Sequence, residues 1–247
     1  MKTKTLEGSL TAGENGPAAQ DTAGASQGFM ALPARTDDDR ASFQQCLAAV
    51  ADVVGIEVAP EPAPGDQRRW NQLVRAALRE ACRNGLTLSD ASFDVLIKAA
   101  VYDPDPSFNR QFVEPALNAF GRRRVRSALL EHLRTGTDRE RAGAARAWYW
   151  SALPLRLRHV RAENSSTESP AEPDDLSVLM REWHQAALRE FVTNEHLDVR
   201  RCILPGLPLW RSAYPPELHD LVDAAVSIAR SHPDEYIRHR VEHQVRG

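Results

Sequence analysis

Several features that mark particular protein classes are scarce in this sequence. Aromatic residues make up 6% of its 247 residues and β-branched runs are few, which favours packed helices over sheets. The cysteines Cys46, Cys82 and Cys202 lie far apart in no paired motif, so we expect free thiols in a reducing compartment. No apolar run of about 20 residues occurs and no apolar core follows the N-terminal lysines. We therefore expect a cytoplasmic protein without a membrane span.

Compact catalytic motifs are also missing. There is no Gly-rich phosphate loop and no nucleophile elbow. His239 to His243 reads His-Arg-Val-Glu-His, an inverted zinc-protease pattern, but a catalytic zinc needs a third ligand and four residues follow His243. We interpret these histidines as solvent-facing residues of a terminal helix. We predict no metal site, no cofactor and no enzymatic activity.

A few other side chains are candidates for acid–base pairs in catalysis. These are His132 beside Glu131, and Glu182, His184 and Glu190 on a long predicted helix. Nothing in the sequence places them together. If the protein were an enzyme, we would expect a deep cleft lined by Trp, Asp and Arg side chains, with carboxylates whose pKa values are shifted.

One short phrase recurs through the second half of the chain. Its copies occupy residues 103–109, 135–141, 194–200 and 232–238. Each is a polar turn that enters a helix with Asn or Arg at its last position. The residues three and seven positions later are mostly apolar, so each helix presents one apolar face. Recurrence every few tens of residues is typical of stacked helical arrays.

The chain divides into three predicted parts. Residues 1–37 are expected to form a disordered arm, 38–66 a helix and a Pro-rich linker, and 67–247 a helical repeat domain with a polar loop insertion at 161–175. After a helix at 67–84, four hairpins are predicted to pair residues 89–102 with 106–119, 121–134 with 138–151, 174–193 with 197–209, and 216–230 with 234–245. Pro115 and Pro205 fall inside predicted second helices and should bend or break them.

The phrase resembles the HEAT repeat, whose second helix opens with an Asp-Pro-type turn and a Val-Arg pair. Val199-Arg200 and Ile237-Arg238 match best, residues 103–109 carry Phe and Asn in those places, and Glu140-Arg141 keeps the arginine. Segments 142–150 and 233–240 are also similar to uncharacterised actinobacterial HEAT-repeat proteins.

The resemblance implies an all-α fold, an α-α superhelix (HEAT-like solenoid) of about four helical hairpins with additional N-terminal helices. It also implies that certain polar residues bond between neighbouring hairpins and tie the stack together: Asp103, Arg141, Arg200 and Arg238.

Two functions follow as hypotheses. The first is a non-catalytic protein–protein interaction module or scaffold that binds a peptide or partner on the concave surface of the array. The second is nucleic-acid backbone binding through Arg122, Arg123, Arg124 and Arg126, beside the aromatic residues 148–150. HEAT-like alkylpurine DNA glycosylases combine such features. The pI near 6.3 and the divergent directions of consecutive helical arginines favour the first.

Overall fold

The computed structural model describes residues 31, 36–56, 65–105, 107–152, 161–162 and 173–245. The predicted disordered arm, the Pro-rich linker and most of the predicted polar insertion lie outside these residues. What is described is all-α, as expected. Its helices are α1 (Asp37–Val53), α2 (Gln67–Arg83), α3 (Asp90–Tyr102), α4 (Arg110–Thr135), α5 (Asp138–Ala152), α6 (Pro173–Thr193), α7 (Leu197–Ile203), α8 (His219–Ser231) and α9 (Glu235–Val245).

A two-residue strand pairing is the one departure from helix and turn within the described ranges. Strand β1 (Thr87–Leu88) runs parallel to β2 (Arg161–Ala162), and the sequence predicted neither. The pairing fixes the start of the predicted insertion against the turn before α3. It is too short to add a sheet layer to the fold.

One predicted helix boundary is confirmed and another differs from the structure. The segments predicted at 106–119 and 121–134 are the two helical segments of α4, and they meet at Gly121, whose φ of 79° and ψ of 158° are not helical. Only glycine adopts that backbone conformation readily, so Gly121 separates the two segments at a sharp kink. Helix α7 stops at Ile203, well before the predicted residue 209, and Pro205 lies in a 3₁₀ turn over Leu204–Gly206. Proline cannot donate the backbone hydrogen bond that a longer α7 needs.

The helices pack in two rows. In one row α1 packs against α3, α3 against α5, α5 against α7, and α7 against α9. In the other row α2 packs against α4, α4 against α6, and α6 against α8. Contacts of α4 with α3 and α5, of α6 with α7, and of α8 with α9 join the rows. The apolar face of each helix is therefore covered by its successor in the row and by its partner across the rows.

Helices α3 and α5 approach each other closely at Gly143. A Cβ atom placed on Gly143 would lie 1.9 Å from the carbonyl oxygen of Val101, so any side chain there would force the helices apart. Towards the other end of α3, Phe93 packs edge to face against Phe120 of α4, with ring centroids 5.3 Å apart. A small residue at position 143 is therefore required by the packing of this layer.

The recurring phrase folds in a similar way at three of its four copies. The side chain at the first position accepts the backbone N–H two residues later: Asp103 from Asp105 at 2.9 Å, Asn194 from His196 at 2.7 Å, and His232 from Asp234 at 3.0 Å. Such a side chain closes a turn that the backbone alone would leave with an unpaired donor. The physical meaning of the phrase is thus a turn that sets the start of the next helix.

Two of the helices that follow a copy of the phrase, α5 and α9, also begin with a side-chain cap. At α5, Glu140 accepts the N–H of Thr137 at 2.8 Å while Thr137 Oγ1 accepts the N–H of Glu140 at 3.4 Å, which is a capping box. At α9, Asp234 accepts the N–H of Ile237 at 3.2 Å. These bonds satisfy amides that the first turn of a helix leaves free.

Candidate functional site

A cleft of about 840 Å³ runs along the row formed by α5, α7 and α9, with α6 and the 3₁₀ turn after α7 completing its walls. Volumes of roughly 300–1,000 Å³ are typical of sites that hold a small ligand or an anchoring segment. Its lining is mainly apolar and aromatic, with a few charged groups. Three tryptophans, two tyrosines and several charged side chains line it.

The buried side of the cleft is an aromatic stack. The rings of Trp148 and Trp183 are parallel within 4°, with centroids 3.9 Å apart, and both side chains are nearly inaccessible. The guanidinium of Arg126 lies 4.9 Å from the Trp148 ring on this stack. Trp148 stands seven positions after Arg141, on the apolar face that the recurring phrase predicts, and its burial agrees with that prediction. The stack holds α5 and α6 together and forms a rigid back wall.

The open side of the cleft is also aromatic. Tyr149 is 56% exposed, and its ring meets that of Trp150 edge to face, with centroids 5.3 Å apart. Tyr236 on α9 contributes a third ring to the lining. Tyr149 and Trp150 follow the buried Trp148 directly on α5, so the helix directs successive rings to different environments. Exposed rings of this kind supply large contact area to a ligand.

Charged side chains meet at the floor of the cleft. Arg146 Nη1 donates to Asp198 Oδ2 at 3.2 Å and lies 3.4 Å from the sulfur of Cys202. The Cys202 thiol is 3.4 Å from Asp198 Oδ1. Arg201 makes a two-point contact with the fully buried Asp234, with its Nε 3.1 Å from Oδ1. These pairs link α5 to α7 and α7 to the start of α9.

Burial shifts the pKa values of two titratable groups in the cleft. Burial raises the pKa of Cys202 to about 12, with nearby Arg146 acting in the opposite direction, so the thiol stays protonated near neutral pH. Burial lowers the pKa of His184, which keeps its ring neutral there. The cleft therefore holds neither a thiolate nor a charged histidine at neutral pH.

The predicted basic cluster does not form a common surface. Arg122 donates to the carbonyl of Ser151, and the buried Arg126 donates to Ser151 Oγ at 3.0 Å. Arg123 pairs with Asp175 at 3.4 Å. Arg124 pairs with Asp90 at 2.6 Å and lies 4.1 Å from the Phe93 ring.

Burial and the neighbouring Arg122 lower the pKa of Arg126 to about 10, which leaves it charged at neutral pH. Its guanidinium contacts Ser151 and the Trp148 ring. Two of the four guanidiniums therefore meet at Ser151, the other two pair with acids elsewhere, and each already has a partner.

Two of the predicted stacking residues do bond between elements. Asp103 is fully buried and accepts Arg75 Nη2 at 2.6 Å on both oxygens, which ties α2 to the turn before α4. Arg141 on α5 lies 3.3 Å from Glu190 on α6 and 3.3 Å from Asp138. Both positions join neighbouring helices.

The other two bond within their own hairpin. Arg200 donates to the carbonyl of Phe191 at 3.2 Å, and Arg238 donates to the carbonyls of His232 and Pro233. The ties between hairpins come from Arg201, one position further on, and from Asn194, which donates to Asp138 at 2.6 Å. In these two copies the arginine at the end of the phrase thus bonds within its own hairpin.

The remaining sequence candidates are not assembled into a site. His239 and His243 are exposed, with Nε2 atoms 3.2 Å apart, while Glu242 pairs with Arg230 at 3.7 Å. Throughout the described part of the chain, no three His, Cys, Asp or Glu side chains cluster as metal ligands would. Glu182 pairs with Arg134, and His132 lies 3.9 Å from Glu140 instead of engaging Glu131.

Sequence reasoning missed most of the polar residues of the cleft. Asp198 and Cys202, and likewise Tyr236 and Arg240, are four residues apart on one helix and so share a face. That spacing is the signal that could have paired them. Their partners Arg146 and Pro205 are 52 and 35 residues away along the chain, so no local pattern reveals them.

Comparison with protein-family models, with curated proteins and with solved structures gave no match for this chain. None of the helices in the described ranges is long and apolar enough to cross a membrane. The cleft is therefore the feature of the molecule on which a function can be proposed.

Proposed function

We propose that this chain is a partner-binding module built as a HEAT-like solenoid, and that it holds a segment of another protein in the aromatic cleft. The observation that carries the proposal is the cleft, which has the exposed Tyr149 and the half-buried Trp150 and Tyr236 on its open side and the Trp148–Trp183 stack on the other. Buried aromatic anchors dominate the energetics of protein interfaces. A cleft of this size takes an anchoring segment of the partner and not a whole domain.

The two-row packing supports the solenoid part of the proposal. Each helix in a row contacts the next in sequence order, which is how stacked hairpins share one continuous core. In such a stack the second helices, α5, α7 and α9, line one surface, and the cleft lies on it. The surface formed by successive second helices is the one that curved arrays offer to extended ligands.

Affinity capture with matched variants tests the proposal. Tyr149→Ser removes an exposed ring from the cleft, and Trp210→Ser removes an equally exposed ring (53%) outside it. We expect a partner that is retained by the wild type and by Trp210→Ser but lost with Tyr149→Ser. With the purified partner, Tyr149→Ser should raise Kd by about tenfold or more, as for an aromatic hot spot. Equal retention by the two variants would refute the cleft as the binding surface.

The placement of the arginine cluster does not favour nucleic-acid binding as a second function. Arg122 and Arg126 are turned to Ser151, and Arg123 and Arg124 are paired with acids. Titration of duplex DNA at low and moderate salt, with Arg123→Ser/Arg124→Ser as control, checks this hypothesis. If duplex DNA binds the wild type at low salt and the double variant abolishes that binding, the result would support the nucleic-acid hypothesis.

A further inference from the structure

Among the cations that line the cleft, Arg240 is the one without a carboxylate partner in the described part of the chain. Arg146 is balanced by Asp198, and Arg201 by Asp234. Arg240 instead donates from Nη2 to the carbonyl of Pro205 at 3.5 Å, the outer limit of a hydrogen bond. Its Nε is buried with no acceptor among the described residues. A guanidinium offers five donors, so Arg240 has most of its capacity unused.

No other group in the cleft cancels this charge near neutral pH. Burial keeps the Cys202 thiol protonated, with its pKa at about 12, so it supplies no negative charge. Burial also lowers the pKa of His184, whose ring is then neutral and adds no second cation. The described lining therefore presents one excess positive charge, located at Arg240, in a mostly apolar surrounding. In such surroundings an ion pair is stronger than in water.

Aromatic rings line the same cleft as this charge. Tyr236 precedes Arg240 by one helical turn on α9, so both project on the same side of the helix into the cleft. Tyr149 and Trp150 on α5 line the cleft on the other side of α7. The chemistry offered is one cation with a ring beside it on α9 and two further rings across α7.

We infer that the partner segment held in the cleft is an acidic peptide in which an Asp or Glu carboxylate pairs with Arg240. An aromatic or large aliphatic side chain elsewhere on the same peptide packs against Tyr149 and Trp150, across α7 from Arg240. Arg–carboxylate pairs are commonly two-point contacts and supply both affinity and orientation. The inference rests on the proposed function and specifies the chemistry of the ligand.

Selection from a pool of random short peptides displayed on phage tests the inference. The wild-type chain, Arg240→Gln, Tyr149→Ser and, as a control, Arg189→Gln at an exposed arginine outside the cleft serve as separate baits. Wild type and Arg189→Gln should enrich peptides that carry an acidic residue together with an aromatic or large aliphatic one. Arg240→Gln should lose the acidic preference, and the enriched peptide should bind it about tenfold or more weakly.

A second experiment uses only the wild-type protein and therefore does not depend on the folding of any variant. The enriched peptide is resynthesised with its acidic residue changed to the corresponding amide, and both forms are titrated against the wild type. A loss of about tenfold or more supports the pairing with a cation. Equal affinity of the two peptides overturns the inference.

The outcomes separate this inference from the proposed function. Enrichment of basic or uncharged peptides that still fail to bind Tyr149→Ser overturns the acidic ligand but leaves the cleft as a binding surface. Enrichment that is identical on the wild type and on Tyr149→Ser overturns the proposed function as well. Binding that Arg240→Lys largely retains and Arg240→Gln loses supports the role of charge at this position.

Discussion

At the scale of single residues, short polar side chains decide where helices begin. Asp103, Asn194 and His232 differ in chemistry but accept the same backbone N–H two positions later. Because this role is local, the phrase could be recognised from sequence. The partners across the fold could not, since Arg75 reaches Asp103 from 28 residues away and Arg201 reaches Asp234 from 33.

The buried pair of Asp103 and Arg75 gives the first prediction. Asp103→Asn keeps the turn acceptor but leaves the guanidinium of Arg75 buried without a counter-charge. We expect the free energy of unfolding to fall by about 3–5 kcal/mol. The control is Asp90→Asn, which breaks an exposed pair with Arg124 and should cost at most about 1 kcal/mol. Urea unfolding measures both, and similar losses for the two variants would contradict the account.

The turn before α9 gives a pH-dependent prediction. Burial lowers the pKa of His232, and the nearby Arg200, Arg238 and Arg201 add to the effect against the opposing charge of Asp234. The unfolded chain therefore takes up a proton at higher pH than the folded one does. Stability should be fully present above the unfolded value of about 6.5 and fall as pH decreases below it.

His232→Asn tests that dependence. Asn can accept the same N–H, as Asn194 does in its own turn, but it does not titrate. The variant should lose less stability than the wild type between about pH 7.5 and about pH 5. His132 and His184 also have lowered pKa values, so part of the loss will remain. His239→Asn, at an exposed position, is the control; a variant with unchanged pH dependence would count against the account.

At the scale of elements, periodicity predicted most helices and failed where backbone or packing overrides it. The boundary expected between residues 119 and 121 is confirmed, because the backbone at Gly121 is not helical and separates the two segments of α4. Pro115 lies buried inside α4, whereas Pro205 stands just beyond the end of α7. Sequence alone did not distinguish these two prolines, because the difference lies in the packing around them. The cleft was not predicted, because its walls come from α5, α6, α7 and α9 together.

The contact of α3 with α5 makes Gly143 the most demanding position for an added methyl group. Gly143→Ala should lower the free energy of unfolding by about 1–3 kcal/mol, or more if the helices cannot separate. Gly206→Ala is the control, since a Cβ there would meet nothing within 4 Å. Thermal unfolding of the two variants measures the difference. Equal stability would show that α3 and α5 are not held this close.

At the scale of the whole molecule, two rows of helices that touch in sequence order place α5, α7 and α9 side by side. This order explains how residues 146, 198, 201 and 240 reach one cleft although they are spread over the second half of the chain. The rigid Trp148–Trp183 stack and the Arg–Asp pairs fix the cleft walls before any ligand arrives. A preformed wall reduces the ordering cost of binding.

Hydrogen–deuterium exchange of the chain, free and bound to the selected peptide, tests the central claim most directly. The account predicts slower exchange on binding in the last turn of α5, in residues 198–206 and in residues 236–240, with no change at residues 122–126. Protection confined to the arginine cluster of α4 or to α8, with the cleft segments unchanged, would contradict it.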